Sequence, residues 1–413
     1  MRPLKTIMIL SVLLLATSVK AQNLSGSWIG ILNAGPSKLH LVFNLEKDAD
    51  GRETCLMDSP DQAAKGIPTT ILYISSDSLS LDVPAIRARF HGKLSEDSVI
   101  NGVFEQMGMK FNLDLKQGGM HYNRPQEPVA PYPYSTEEVT FINSKANVTL
   151  AGTLTFPSNY QKGKKVPVVL LVTGSGAQNR DEELFGHKPF LVIADFLARN
   201  GIASLRYDDR AVGNSTGNAP TKNTQEVAED AEAGIKFLRS RKEFSKVGLL
   251  GHSEGGSVAF MLGADRLLDF AISMAGCGVK GDESLYAQAK RITELSGQPY
   301  PLTKDQYVQM ALSKPNPWLE YFFNYDPIED IRNTQCPVFA LNGDKDCQVI
   351  ASVNLTSIEE NLPQNRRSKV KLYPGLNHLF QECISGLPQE YSFIEQTISP
   401  DVLQDIVDWI NAL

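Results

Sequence analysis

The residues with the most chemical content are Gly251-His252-Ser253-Glu254-Gly255, followed by Gly256. They come after an apolar run at 247–250 and before a helix-like stretch at 256–262, the setting of a nucleophile on a sharp strand-to-helix turn. Side chains two positions before and after the serine would clash in so tight a turn. The strained backbone lifts Ser253 Oγ clear of the sheet at the positive end of a helix. A hydroxyl is a poor nucleophile until a base takes its proton, and the chain holds six histidines: His40, His91, His121, His187, His252 and His378. A carboxylate must orient the base, and Asp344 and Asp346 both follow the apolar run 338–342. The developing oxyanion needs two N–H donors. One is the backbone of Glu254; the other is expected from the loop Thr173-Gly174-Ser175-Gly176-Ala177, at Ser175 or, failing that, Gly176. No Gly-Lys-Ser/Thr follows that loop, so it is not a phosphate loop.

The elements that must position these groups begin near residue 135. Residues 166–172 form a continuous apolar run, as in a parallel strand covered on both faces. The pattern predicts a helix over 185–200 and a strand over 202–205. Val227, Ala231, Ile235 and Leu238 recur at helical spacing, with Asn223 or Thr224 as N-cap. Strands follow at 247–250, 270–275, 338–341 and 370–372, and a last helix opens at Ser399-Pro400. Alternating strands and helices over 135–413 mean a parallel α/β sheet. Residues 278–335 are far longer than an α/β connection needs and are expected to cap the site. Within them Trp318, Phe322 and Phe323 are candidates for a pocket wall, with cap core as the competing role.

The remaining segments read differently. Residues 22–117 show short runs of strand character broken by turn residues, roughly eight strands, as in an antiparallel barrel or sandwich. Gly118-Gly119 and Pro125, Pro128, Pro131 and Pro133 make 118–134 an expected linker. Arg2 and Lys5 precede an apolar stretch of about ten residues, too short for the roughly 20 that span a bilayer, and Val19-Lys20-Ala21 suits a signal peptidase. Residues 1–21 are therefore expected to be a cleaved export leader, giving a periplasmic or extracellular product that does not stay in a membrane. A net charge of −7 without a basic tract argues against a nucleic-acid partner. No metal-ligand cluster is visible and no cofactor is expected. Five cysteines are too few for a disulfide scaffold, although Cys347 and Cys383 adjoin the candidate acid and His378 and could pair. Arg180-Asp181 and Asp209-Arg210 are expected to serve as structural ion pairs.

The stretches 174–181 and 206–215, together with Gly251–Gly256, Pro317-Trp318, Tyr325-Asp326-Pro327, Gly343–Asp346 and His378, resemble the EstD-type bacterial esterases. That group lies within the serine-aminopeptidase-like (S33) α/β-hydrolases. Two positions depart from the pattern: Ala211 where glycine is usual, and Ala177-Gln178-Asn179 where Pro-Gln-Asp is usual. In α/β-hydrolases the chain order is serine, acid, histidine. Only His378 lies after Ser253, so it becomes the base, and Asp346, a turn past its strand, is preferred to Asp344. The resemblance implies an eight-stranded, mostly parallel sheet and a carboxylesterase acting on a small ester with a short acyl or acetyl group. An aminopeptidase, a thioesterase and a non-enzymatic binding protein are the other readings. Sequence leaves the oligomeric state open.

Overall fold

The computed structural model describes residues 24–34, 37–62, 64–95, 98–120, 122–218 and 222–413. The expected leader lies outside them. The chain divides between residues 120 and 121 into two compact units.

The first unit is a single antiparallel sheet. Its strands are β1 (Gly26–Ala34), β2 (Ser37–Lys47), β3 (Glu53–Ser59), β4 (Ala64–Pro68) and β5 (Thr70–Ile74). They are followed by β6 (Ser78–Val83), β7 (Ala88–Leu94), β8 (Val99–Gln106), β9 (Met109–Asn112) and β10 (Leu115–Gln117). The order is β4-β3-β2-β1-β10-β8-β7-β6-β5, with β9 paired to β8. The alternate residues of each strand face one core that includes Trp28, Phe43, Phe90 and Phe104. Ten strands stand where about eight were expected. The sequence of β4 is Ala-Lys-Gly-Ile-Pro, whose glycine and proline read as a turn, and the run from Met109 to Gln117 is divided between β9 and β10.

The second unit opens with the hairpin β11 (Thr136–Asn143) and β12 (Val148–Thr155). Then come β13 (Val166–Val172), α1 (Pro189–Arg199), β14 (Ala203–Tyr207), α2 (Thr224–Ser240), β15 (Phe244–His252), α3 (Glu254–Ala264) and β16 (Phe270–Met274). Four helices fill the insertion: α4 (Gly281–Leu295), α5 (Lys304–Ala311), α6 (Pro317–Asn324) and α7 (Ile328–Asn333). The unit closes with β17 (Val338–Gly343), α8 (Ala351–Asn361), β18 (Lys369–Tyr373) and α9 (Pro400–Asn411). The sheet order is β11-β12-β14-β13-β15-β16-β17-β18, and every pair from β14 to β18 is parallel. Val168, Leu170 and Val172 pack with α2 and α3, while Val169 and Leu171 pack with α1 and α9. Burial on both faces explains why β13 is apolar throughout.

Two local differences and one choice between N-caps have physical causes. The helix expected over 185–200 starts at Pro189, because Phe185 and Gly186 have positive φ and the proline ring occupies the first turn. Asn223 is the N-cap of α2, in a reciprocal capping box with Glu226. The stretch expected to be a free linker is docked on the second unit from Arg124 onward. Its guanidinium donates to the carbonyls of Phe185, Gly186, Ser392 and Ile394, and Gln126 bonds the backbone of Thr397 and Ile398.

Candidate active site

Ser253 sits between the last residue of β15 and the first of α3, with φ 56° and ψ −119°. Such a conformation costs a non-glycine residue about 1–3 kcal/mol, and the surroundings must hold it. Its N–H donates to the Met274 carbonyl at 2.9 Å. The flanking glycines are there because nothing larger fits. A Cβ on Gly251 would lie 1.8 Å from the Gly255 carbonyl oxygen, and one on Gly255 would lie 2.3 Å from that of Val172. A Cβ on Gly256 would come within 2.7 Å of the Gly276 Cα. The serine is therefore presented, half-buried, at the N-terminal end of α3.

Asp346 follows β17 and His378 follows β18, and the two are joined. His378 Nδ1 lies 2.8 Å from Asp346 Oδ2, and both side chains are buried. Asp346 Oδ1 accepts the N–H groups of Gln348 and Val349 at 2.8 and 2.9 Å, which fixes the carboxylate plane. Asp344 is committed elsewhere: its Oδ1 accepts the Gly375 N–H at 2.7 Å and so ties the β17 turn to the histidine loop. Asn377 locks that loop from within, accepting the N–H groups of Leu379 and Gln381. The ring of His378 lies 4.7 Å, centroid to centroid, from that of His252, the neighbour of Ser253.

The loop after β13 abuts Ser253, since a Cβ on Gly174 would lie 3.1 Å from Ser253 Cβ. Two buried carboxylates hold it. Glu182 Oε1 accepts the Gly174 N–H at 3.0 Å. Asp209 accepts the Gln178 N–H at 2.9 Å and the Thr173 hydroxyl, and pairs with Lys222 at 2.7 Å. Lys222 also donates to the Gly176 carbonyl at 3.1 Å. Burial pushes the Asp209 carboxyl up in spite of the neighbouring ammonium. Ser175 and Gly176 lie on the exposed crest of the loop, Gly176 with φ 94°. The charged pairs expected here find partners other than each other: Arg180 with Asp208 and Glu138, Arg206 with Asp181, and Arg210 with Asp230 and Glu226.

In the second unit's own count, the serine turn follows the fifth strand, the paired aspartate the seventh and the histidine the eighth. The third and fourth strands are exchanged in the sheet relative to the chain. The chain is an α/β-hydrolase by fold. The family described as serine aminopeptidase, S33 matches residues 189–305 of this chain, a span that includes Ser253 and ends before Asp346 and His378. Over 328 residues it is 26% identical to esterase EstD of Thermotoga maritima, covering 74% of each chain. It is 29% identical over 167 residues to human dipeptidyl peptidase 8, covering 37% of this chain and 18% of that one. Among solved structures it is similar to the Pyrococcus furiosus esterase Pf2001, at 17% identity and a TM-score of 0.47, covering 71% of this chain and 99% of the other.

The insertion reaches the Ser253 turn through Trp318. Trp318 Nε1, on α6, donates to Glu254 with both carboxylate oxygens at 3.0 Å, and Thr224 Oγ1 donates to Oε1 at 2.5 Å. Phe322 and Phe323 are buried in a cluster with Cys277 and Val349, residues outside the insertion, and Trp318 stacks on Phe322 at 5.2 Å. Of the three aromatics considered for a pocket wall, Trp318 is the one brought to the turn. The bridge considered between Cys347 and Cys383 is not formed. All five cysteines are free, and the two thiols point at different carbonyls, those of Gly386 and Gly375. Among the described residues no group of three or more His, Cys, Asp or Glu could hold a metal ion. Glu182 was missed in the sequence, where it carries no motif; Glu254 and Trp318 both lie in motifs noted there, but nothing in the sequence joined them.

Proposed function

We propose that this hydrolase is a serine carboxylesterase working through an acyl-enzyme. Ser253 Oγ attacks the ester carbonyl carbon, and His378 Nε2 takes the hydroxyl proton. The imidazolium then returns that proton to the departing alcohol, and water releases the acid by the same steps in reverse. Asp346 accepts the hydrogen bond from Nδ1–H throughout and steadies the charged ring. The N–H of Glu254, at the start of α3, and that of Ser175 or Gly176 stabilise the tetrahedral oxyanion. The observation that carries this reading is the buried 2.8 Å contact between Asp346 and His378, which commits Nδ1 to the acid and leaves Nε2 to act as base.

Two further observations bear on the substrate. Trp318 is hydrogen-bonded to Glu254, the residue after Ser253, and in this proposal its indole bounds the acyl site and favours a short acyl group. An aminopeptidase would need a carboxylate for the substrate ammonium. Glu254, the buried acid next to Ser253 in the chain, already accepts from Trp318 and Thr224, which favours an ester over a free-amine peptide. A panel of p-nitrophenyl esters and aminoacyl anilides, run with Ser253→Ala, tests the assignment. Turnover of the short esters, abolished in the variant, is expected; turnover of anilides alone would overturn it. Export is part of the proposal, on the strength of the leader sequence at residues 1–21. Amino-terminal sequencing of the protein from its native host should begin at Gln22, and an intact Met1 would contradict export.

A further inference from the structure

Behind the nucleophile stands a second acid–imidazole pair that the proposed reaction does not use. His252 and Glu182 are both buried, the latter in the loop ahead of α1 with φ 53°. His252 Nε2 lies 2.9 Å from the main-chain oxygen of His378, and Nδ1 lies 2.9 Å from Glu182 Oε1. A carbonyl oxygen can only accept, so Nε2 carries a proton. An ionised Glu182, whose Oε1 also accepts the Gly174 N–H at 3.0 Å, can only accept from Nδ1. Both ring nitrogens are then protonated, and the ring is an imidazolium. The attraction of Glu182 agrees with this: burial works against the charged ring, yet the carboxylate outweighs it and the His252 pKa is raised. The other titratable groups facing the ring are His378, 4.7 Å away, and Asp346 beyond it. The remaining neighbours, including Phe190, Ile193, Met274 and Phe380, are apolar. Glu182 Oε2 has no hydrogen-bond partner among the described residues, so His252 is the main compensation for this carboxylate.

We propose that Glu182 and His252 form the positioning unit of the site, holding the Gly174 loop, the serine turn and the His378 loop in one register, and that they do so only while His252 is an imidazolium. Neither residue touches the reacting atoms. The pair spans the three segments that must meet for the reaction: β13's loop through Gly174, the nucleophile turn through His252 itself, and the histidine loop through the His378 carbonyl. Loss of either ring proton would set a nitrogen lone pair against an oxygen lone pair and push one of these loops away.

The proposal rests on the esterase reading for what is positioned, but the protonation of His252 can be read without substrate. In ¹⁵N-histidine NMR of the full chain near pH 8, both ring nitrogens of His252 should be protonated. Glu182→Gln keeps the shape and an acceptor oxygen while removing the charge. In that variant His252 should lose its proton about 1–3 pH units lower, the usual effect of an adjacent opposite charge. The alkaline limb of kcat should move down with it. At pH 8 kcat should fall by up to about 100-fold, the cost of misplacing reacting groups by about an ångström, with KM nearly unchanged. A purely structural glutamate would leave the pH profile where it was, because glutamine can accept both bonds. An unprotonated ring nitrogen on wild-type His252 at neutral pH, or a Glu182→Gln enzyme with the wild-type pH profile, would overturn the proposal. Should the variant not fold, the wild-type NMR decides. Should wild type fail to turn over esters, the esterase reading falls while the NMR result still decides the state of His252.

Discussion

Asp346→Asn separates catalysis from stability at the candidate site. The two oxygens of Asp346 have different tasks: Oδ1 accepts from the Gln348 and Val349 N–H groups, and Oδ2 accepts from His378 Nδ1. Asparagine can keep the first pair of bonds through its carbonyl oxygen. Its NH₂ group then faces Nδ1, which must become an acceptor, and the ring proton moves to Nε2. A base already protonated at Nε2 cannot take the serine proton. In a triad the same substitution lowers kcat about 10⁴-fold, or roughly 5 kcal/mol of transition-state stabilisation. The fold should lose about 1 kcal/mol or less, since the hydrogen bonds are exchanged rather than abolished. Turnover of a short p-nitrophenyl ester measured beside urea unfolding separates the two effects. Asp344→Asn is the control, because asparagine still accepts the Gly375 N–H, and it should keep most of the activity. An Asp346→Asn enzyme within tenfold of wild type, or one whose lost activity follows lost stability, would refute the reasoning.

Other substitutions test neighbouring parts of the account. Gly255→Ala puts a methyl group 2.3 Å from the Val172 carbonyl oxygen, and urea unfolding should show a loss of about 1–3 kcal/mol with activity abolished. Trp318→Phe leaves Glu254 with Thr224 as donor and should cost about 1–3 kcal/mol. The same variant should shift relative kcat/KM toward longer acyl chains across a p-nitrophenyl series. Burial raises the Asp405 carboxyl pKa, but bonds from Lys371, Tyr373 and Lys369 outweigh it and hold the value at about 2. A folded pKa below the unfolded one, near 3.9, gives stability that is full above about pH 4 and is lost as pH falls through 2. Asp405→Asn should flatten that part of the acid-unfolding curve, and an unchanged curve would count against the assignment.

The parts of the site that the sequence made legible are those where sterics or chain order leave few choices. The Gly251, Gly255 and Gly256 spacing reflects backbone contacts too close for any Cβ, and His378 is the sole histidine after the serine. The continuous apolar run of β13 reports burial on both faces. What stayed hidden depends on partners far apart in the chain. Arg124 reaches carbonyls some 270 residues later, so a proline-rich stretch with no helix or strand of its own still docks. Glu182 meets His252 across 70 residues, and no local pattern marks it. The preference for Asp346 was legible from its place past the strand, but the separate task of Asp344, accepting the Gly375 N–H, appears only once the loops fold. Proximity of loops was also a poor guide to disulfide pairing, since Cys347 and Cys383 orient toward separate carbonyls.

The most direct test of the central claim is to trap the covalent intermediate. A rapid acid quench of the enzyme with p-nitrophenyl acetate, followed by peptide mapping, should find one acetyl group on the peptide containing Ser253 and none in Ser253→Ala. Ester turnover with no acylated enzyme, or an acetyl group on another residue that turns over at the catalytic rate, would contradict it.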